Sequence, residues 1–232
     1  MKEKDFAPFE QSIGITFKDK KLLQHAFIHR SYINENPKSG LAHNERLEFL
    51  GDAVLELVVT DYLYATYPGS PEGELTAFRS ALVNWVVIAE IASALGMNEY
   101  LLLSKGESKD TGRARAVILA NTYESFVGAL YLDQGYGQAN DFIHKTLLPR
   151  LDEIIAKKTW KDAKSLVQEE AQERVGVTPS YKVVSETGPD HDKWFTIGIF
   201  FGEKKIAEGK GRSKQEGEQK AAMAALEAKG WL

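Results

Sequence analysis

The sequence predicts an all-α domain followed by a small α+β domain of order α-β-β-β-α. Three observations carry this reading. Apolar residues recur at helical spacing up to about Ile155. Beyond Asp162, strand-like alternation appears between two helical stretches. The charge changes at the same place: residues 1–156 carry a net −6, residues 157–161 carry +3 and residues 162–232 carry −1. A chain of 232 residues that is 43% hydrophobic and 27% charged has enough apolar material for one or two cores.

In the first half the helical stretches are 21–33, 44–66, 75–95 and 115–132. They are punctuated by Tyr67-Pro68-Gly69-Ser70-Pro71, by Gly106 to Gly112 and by Gly135-Tyr136-Gly137, where Pro and Gly stop helices. In the second half Ala163 to Val175 is helical and Tyr181 to Glu186 strand-like. Trp194 to Phe201 alternates, with Phe195, Ile197, Ile199 and Phe201 on one face. Gly202-Glu203 suits a two-residue hairpin turn with Gly first, and Lys204 to Glu208 forms a third strand. Ser213 opens an Ala-rich helix to about Lys229. The expected domains are 5–150 and 162–232, joined by a polar linker at 151–161.

Composition excludes several classes. Zero cysteines remove disulfides, thiolate catalysis and Cys-based zinc sites. No apolar run reaches the ~18 residues of a membrane span. The N-terminus, Met-Lys-Glu-Lys-Asp-Phe, lacks the apolar region of a signal peptide, so the expected compartment is the cytoplasm, without membrane contact. The net charge of −4, taken alone, argues against a nucleic-acid binder.

The most informative stretch is His43-Asn44-Glu45-Arg46-Leu47-Glu48-Phe49-Leu50-Gly51-Asp52-Ala53-Val54-Leu55. Asn44 is a suitable N-cap. Glu45, Glu48 and Asp52 fall within roughly 60° of one another on the helical wheel, opposite Leu47, Leu50, Val54 and Val58. Glu56 extends the stripe. Like charges at this spacing destabilise a helix. A solvated acidic face would show the same stripe, but Phe49 lies at its edge, which suggests that the face meets another surface. A second helix repeats the pattern, with Asn121 and Glu124 at i, i+3 and Gly128 on the same side, leaving room for a close neighbour. Two helices that each present hard oxygen donors suit Mg²⁺, and metal-assisted phosphodiester hydrolysis is the chemistry such a site performs.

The run Asn44-Glu45-Arg46-Leu47-Glu48-Phe49-Leu50-Gly51-Asp52 resembles the signature of the bacterial ribonuclease III family. His29-Arg30-Ser31-Tyr32, Glu72-Gly73-Glu74-Leu75-Thr76 and Ala81-Leu82-Val83-Asn84 resemble further family landmarks, in order. The resemblance implies a homodimeric endonuclease for double-stranded RNA. It implies Mg²⁺ as cofactor (with Mn²⁺ as a substitute), no small-molecule cofactor, and 5′-phosphate and 3′-hydroxyl ends with short 3′ overhangs, in rRNA and mRNA processing. It assigns Glu48, Asp52 and Glu124 as catalytic, metal-binding carboxylates and Asn121 as a fourth ligand. Glu45 becomes a flanking acid, Glu72 an acid near the RNA, and Phe49 a dimer contact. The family usually has Asp where this chain has Asn121, so weaker metal binding is expected. A non-cleaving regulator that binds duplex RNA is the alternative.

The second half resembles a double-stranded RNA-binding domain, with Gly209-Lys210-Gly211-Arg212-Ser213-Lys214 before the Ala-rich helix. Such domains read duplex shape across minor grooves and the intervening phosphates. The resemblance places Gln168, Glu169 and Gln172 in one minor groove and His191, at the tip of the 188–192 loop, in the next. Lys210, Arg212, Ser213 and Lys214 contact phosphates, with Lys220 as a further cation. Gln215 replaces a second Lys of the family, and Gly217 replaces Ala at an expected cost in helix propensity of up to about 1 kcal/mol. His25 and His29 have metal-like i, i+4 spacing but no accompanying general-base Glu, and locally bonded histidines are the favoured reading.

Overall fold

The computed structural model describes residues 4–158, 160, 162–189 and 192–231. Contacts divide the chain into two compact units between Ile154 and Ile155.

The first unit is helical: α1 (Ala7–Ile13), α2 (Lys20–Ala26), α3 (Arg30–Glu35), α4 (Glu45–Thr66), α5 (Glu72–Leu82), α6 (Trp85–Ala94), α7 (Arg113–Gln134), α8 (Tyr136–Thr146) and most of α9 (Arg150–Ala156), whose last two residues lie past the division. Helix α7 forms its centre. Ile118, Leu119, Ala120, Tyr123, Phe126, Val127, Ala129 and Leu130 are all buried. Phe126 meets Phe9, Phe17, Phe27 and Phe142 at ring-centroid distances of 4.9–6.4 Å. Fully burying each such side chain stabilises the fold by about 1.5–3 kcal/mol.

Two predicted helices are broken in the structure. The stretch 21–33 is α2 and α3, because Ile28 leaves the helix to form a parallel bridge with Leu102, and His29 caps α3. The stretch 75–95 is α5 and α6, because the Asn84 side chain accepts from the Val86 and Val87 amides and starts a new helix. Apolar spacing continues across both breaks, so periodicity does not reveal them. No single helix among the described residues is long and apolar enough to cross a membrane. The pair α5 and α6 reaches that length only with a 44° bend between them. Helix α9 occupies the first part of the segment expected as linker, and buries Leu151 and Ile154.

The second unit contains α10 (Ala163–Val175), β1 (Pro179–Thr187), β2 (Trp194–Phe201), β3 (Lys204–Gly211) and α11 (Lys214–Lys229). The expected α-β-β-β-α order is present, as an antiparallel sheet of order β1-β2-β3. Phe201 pairs with Lys204 across Gly202-Glu203, and Gly202 adopts φ +60°, as a two-residue hairpin with Gly first requires. The core joins Leu166, Val167 and Ala171 of α10 to Ile199 and to Ala221, Ala222, Ala225 and Leu226 of α11. Trp231 stacks on Phe201 at 5.7 Å. Gly217 has a structural reason, which propensity alone does not show: a Cβ there would lie 2.6 Å from Cγ1 of the buried Ile197. A Cβ at Gly209 would lie 2.5 Å from the Gly217 carbonyl oxygen, so β3 and α11 touch through glycines.

Candidate active site and nucleic-acid interface

Helices α4 and α7 cross with their backbones in contact. A Cβ on Gly51 would fall on the Glu124 carbonyl and 2.8 Å from the Gly128 nitrogen. One on Gly128 would fall on the Leu47 carbonyl and 3.0 Å from the Gly51 nitrogen. The neighbour expected beside Gly128 is therefore a helix. This crossing brings Glu48 and Asp52 of α4 beside Asn121 and Glu124 of α7, close enough to perturb one another.

Burial pushes the Glu124 carboxyl up to about 8, and the charges of Asp52 and Glu48 add to the rise. Glu48 is raised by burial, by Glu45 and by Asp52, while the Asn121 side chain bonds to it and pulls it back. Asp52 is raised by burial and by Glu56. Glu48, Asp52 and Glu124 have no ion-pair partner among the described residues. Three crowded carboxylates of this kind are stabilised by a cation. The donors are hard oxygens, three carboxylates and one amide carbonyl, as Mg²⁺ prefers. No three His, Asp or Glu side chains among the described residues stand close enough to hold an ion by themselves. Mg²⁺ commonly takes only one or two protein carboxylates and completes its shell with water and phosphate oxygens.

The start of α4 differs from expectation. Asn44 makes no side-chain cap. Its Nδ2 instead donates to the Ala26 carbonyl at 2.9 Å, and its backbone N–H donates to Ile28 at 2.9 Å. Asn44 is buried, so its amide is used to tie α4 to the α2–α3 break. Ser125 of α7 donates to the Asn44 carbonyl at 3.4 Å and to Asn121 at 2.8 Å. Glu45 faces Arg30 at 3.7 Å and His43 at 3.6 Å, two partners that the sequence did not pair with it. His25 and His29 lie on different elements: His25 Nε2 bonds the His43 carbonyl at 2.9 Å, and His29 Nδ1 bonds Ser31 Oγ at 2.8 Å.

Phe49 is 82% exposed, and Leu57 (56%) and Tyr64 (75%) continue an uncovered apolar stripe along α4. Glu72 is not brought to the carboxylate group. It opens α5 and lines a cavity of about 470 Å³ with Thr60, Tyr64 and Arg79, more than two helical turns along α4 from Asp52.

In the second unit Gln168, Glu169 and Gln172 share the exposed side of α10, and Gln172 donates to Thr178 at 3.3 Å. Lys210, Arg212, Ser213 and Lys214 are exposed together where β3 ends and α11 begins. Ser213 caps α11 by accepting from the Glu216 amide at 3.1 Å, and the Glu216 side chain accepts from the amide of Arg212, the residue before the cap, at 2.8 Å. Lys220 is paired with Glu216 at 2.7 Å. His191 lies outside the described residues.

Comparison with known proteins decides the family. The Ribonuclease-III-like family matches residues 19–151, and the double-stranded RNA binding motif matches residues 163–229. The chain belongs to the ribonuclease III family. Ribonuclease 3 of Borreliella burgdorferi is 42% identical over 98% of this chain and 92% of its own length. Ribonuclease 3 of Oceanobacillus iheyensis is 44% identical over 96% of this chain and 97% of its own. The nuclease domain of ribonuclease III from Campylobacter jejuni superimposes with a TM-score of 0.56 at 38% identity, covering 61% of this chain and 94% of that one. The chain is thus an endoribonuclease, a hydrolase, with a helical nuclease domain and a C-terminal double-stranded RNA-binding domain. Family membership favours it over the non-cleaving alternative.

Proposed function

We propose that the chain is a Mg²⁺-dependent endoribonuclease that cleaves double-stranded RNA as a homodimer, leaving 5′-phosphate and 3′-hydroxyl ends. The observation that carries this is the Gly51–Gly128 contact, which gathers Glu48, Asp52, Asn121 and Glu124 with Glu124 pushed up to about 8.

Glu48, Asp52, Asn121 and Glu124 would hold the ion, and Mn²⁺ fits the same oxygen donors. When bound there, Mg²⁺ supplies activation of water and charge stabilisation on the phosphodiester. Glu124, most buried of the three carboxyls, is held largely protonated near neutral pH, and a neighbouring cation favours its charged form. The Asn121 side chain beside Glu48 draws its carboxyl back down and lowers the number of negative charges by one relative to an Asp. The exposed cations at the start of α11 bind phosphates, Gln168, Glu169 and Gln172 face one minor groove, and His191, outside the described residues, is assigned to the next. Phe49, with Leu57 and Tyr64, is the surface a second copy would cover, and Glu72 lies along it. The Campylobacter relative's structure concerns a region involved in dimer formation, in line with this reading. The expected setting is cytoplasmic processing of rRNA and mRNA.

The test is cleavage of a labelled RNA duplex in Mg²⁺ and in EDTA, by the parent and by Glu124→Gln. Cleavage should vanish in EDTA and fall by about 10³-fold or more in the variant, while duplex binding persists. Equal cleavage in EDTA sinks the metal reading. Binding without cleavage by the parent at saturating Mg²⁺ sinks the enzyme reading of this chain's site.

A further inference from the structure

The RNA-facing end of the second unit contains two residues that are given no part above, Asp192 and Trp194. Trp194 opens β2 and is 36% exposed. The sheet register aligns Phe195 with Gly211, so the next position on each strand places Trp194 across from Arg212. The Arg212 guanidinium lies 5.4 Å from the centre of the Trp194 ring. On another side Arg212 Nη2 faces Asp192 Oδ1 at 3.7 Å.

The chain beside Asp192 is itself constrained. The Asp192 N–H donates to the Pro189 carbonyl at 2.9 Å. Gly188 has φ +95°, and a Cβ there would fall against the Asp192 carbonyl, 3.3 Å from its carbon. At the other end of the contact, the Arg212 amide is held by Glu216 of the α11 cap. One guanidinium therefore bridges the C-terminal flank of the 188–193 loop and the start of α11.

We propose that Asp192 and Trp194 are positioning residues for duplex-RNA binding: they hold the Arg212 guanidinium before RNA arrives and join the loop flank to the start of α11. The inference rests on the reading of this end as the RNA face. An exposed pair such as Arg212–Asp192 adds little to folding stability. Its contribution lies in binding. A free arginine loses rotamer entropy when it captures a phosphate, and one already laid on a ring and steered by a carboxylate loses less. A guanidinium has five N–H donors, so Asp192 leaves others for the phosphate.

The experiment measures binding of a duplex RNA to the full chain in EDTA, so that nothing is cleaved, with Lys214→Ala as a control of the RNA face. Trp194→Thr and Asp192→Asn should each weaken binding about three- to tenfold, and Trp194→Phe should restore most of the loss. The double variant should be no weaker than the more affected single one, and in an Arg212→Ala background neither substitution should matter. In Mg²⁺ the single variants should raise KM and leave kcat within about twofold of the parent.

Tighter binding by Asp192→Asn would overturn the proposal and make Asp192 a competitor of phosphate. So would losses that persist without Arg212. Normal binding by Lys214→Ala removes the RNA-face reading itself. Weakened binding by Lys214→Ala with parental binding by the Asp192 and Trp194 variants removes this inference alone.

Discussion

The two units use the same packing device to opposite electrostatic ends. In the first, Gly51 and Gly128 let α4 and α7 touch, and the result is a crowd of like charges with no cation among them. In the second, Gly209 and Gly217 let β3 and α11 touch, and the charged groups at that end are largely paired: Arg212 with Asp192, Lys220 with Glu216, Lys164 with Glu218. The first arrangement is an electrostatic deficit that a small cation removes. The second is a set of exposed surface pairs whose cations keep N–H donors free for a polyanion. Net charge of −4 hides both, because it averages a unit with crowded carboxylates and a unit with cations gathered at one end.

The largest expected effect tests the shared device. Gly51→Ala forces a Cβ into the α7 backbone at Glu124 and Gly128, so it should destabilise the protein by on the order of 3 kcal/mol or more, read from the thermal midpoint. Gly217→Ala meets a side chain, Ile197, which can shift a little. It should lose about 1–2 kcal/mol in spite of the gain in helix propensity. If Gly217→Ala stabilised the protein, helix propensity would outweigh the contact with Ile197.

A second test addresses the electrostatic deficit. Glu124 titrates near its ordinary value of 4.5 when unfolded and at about 8 when folded. The unfolded state therefore releases this proton first as pH rises, and metal-free protein should lose stability between about pH 4.5 and 8. The loss should reach ~1–3 kcal/mol after allowance for solvent screening, and should be absent from Glu124→Gln. Added Mg²⁺ should restore it in the parent. A flat profile in EDTA would show that the carboxylates are not crowded in solution.

The smallest effect sharpens the first half of the comparison. Asn121→Asp adds a negative charge to the group, so the Mg²⁺ concentration for half-maximal cleavage should fall about three- to tenfold. An unchanged Mg²⁺ dependence would place Asn121 outside the ligand shell.

What the sequence made legible were features set by neighbours in the chain. The faces of α4 and α7, the Gly202-Glu203 hairpin and the Ser213 cap all follow from local spacing, and all are present. What it concealed depends on partners far along the chain. The break at Ile28 is made by Leu102, and Asn44 is drawn from capping by Ala26. Gly217 reads as a defect until Ile197 is seen against it. Arg212 reads as a free cation until β2 places Trp194 across from it.

The backbone contact between α4 and α7 also limits how the site can be altered. A slide of α4 by one residue shifts it about 1.5 Å and turns its face by about 100°. Only a glycine can occupy position 51 against the Glu124 carbonyl, so α4 cannot slip past α7. The register is locked at zero clearance. On the proposed reading, variation in metal affinity then comes from exchange of donor atoms at fixed positions, and Asn121, with an amide oxygen, would be one such exchange.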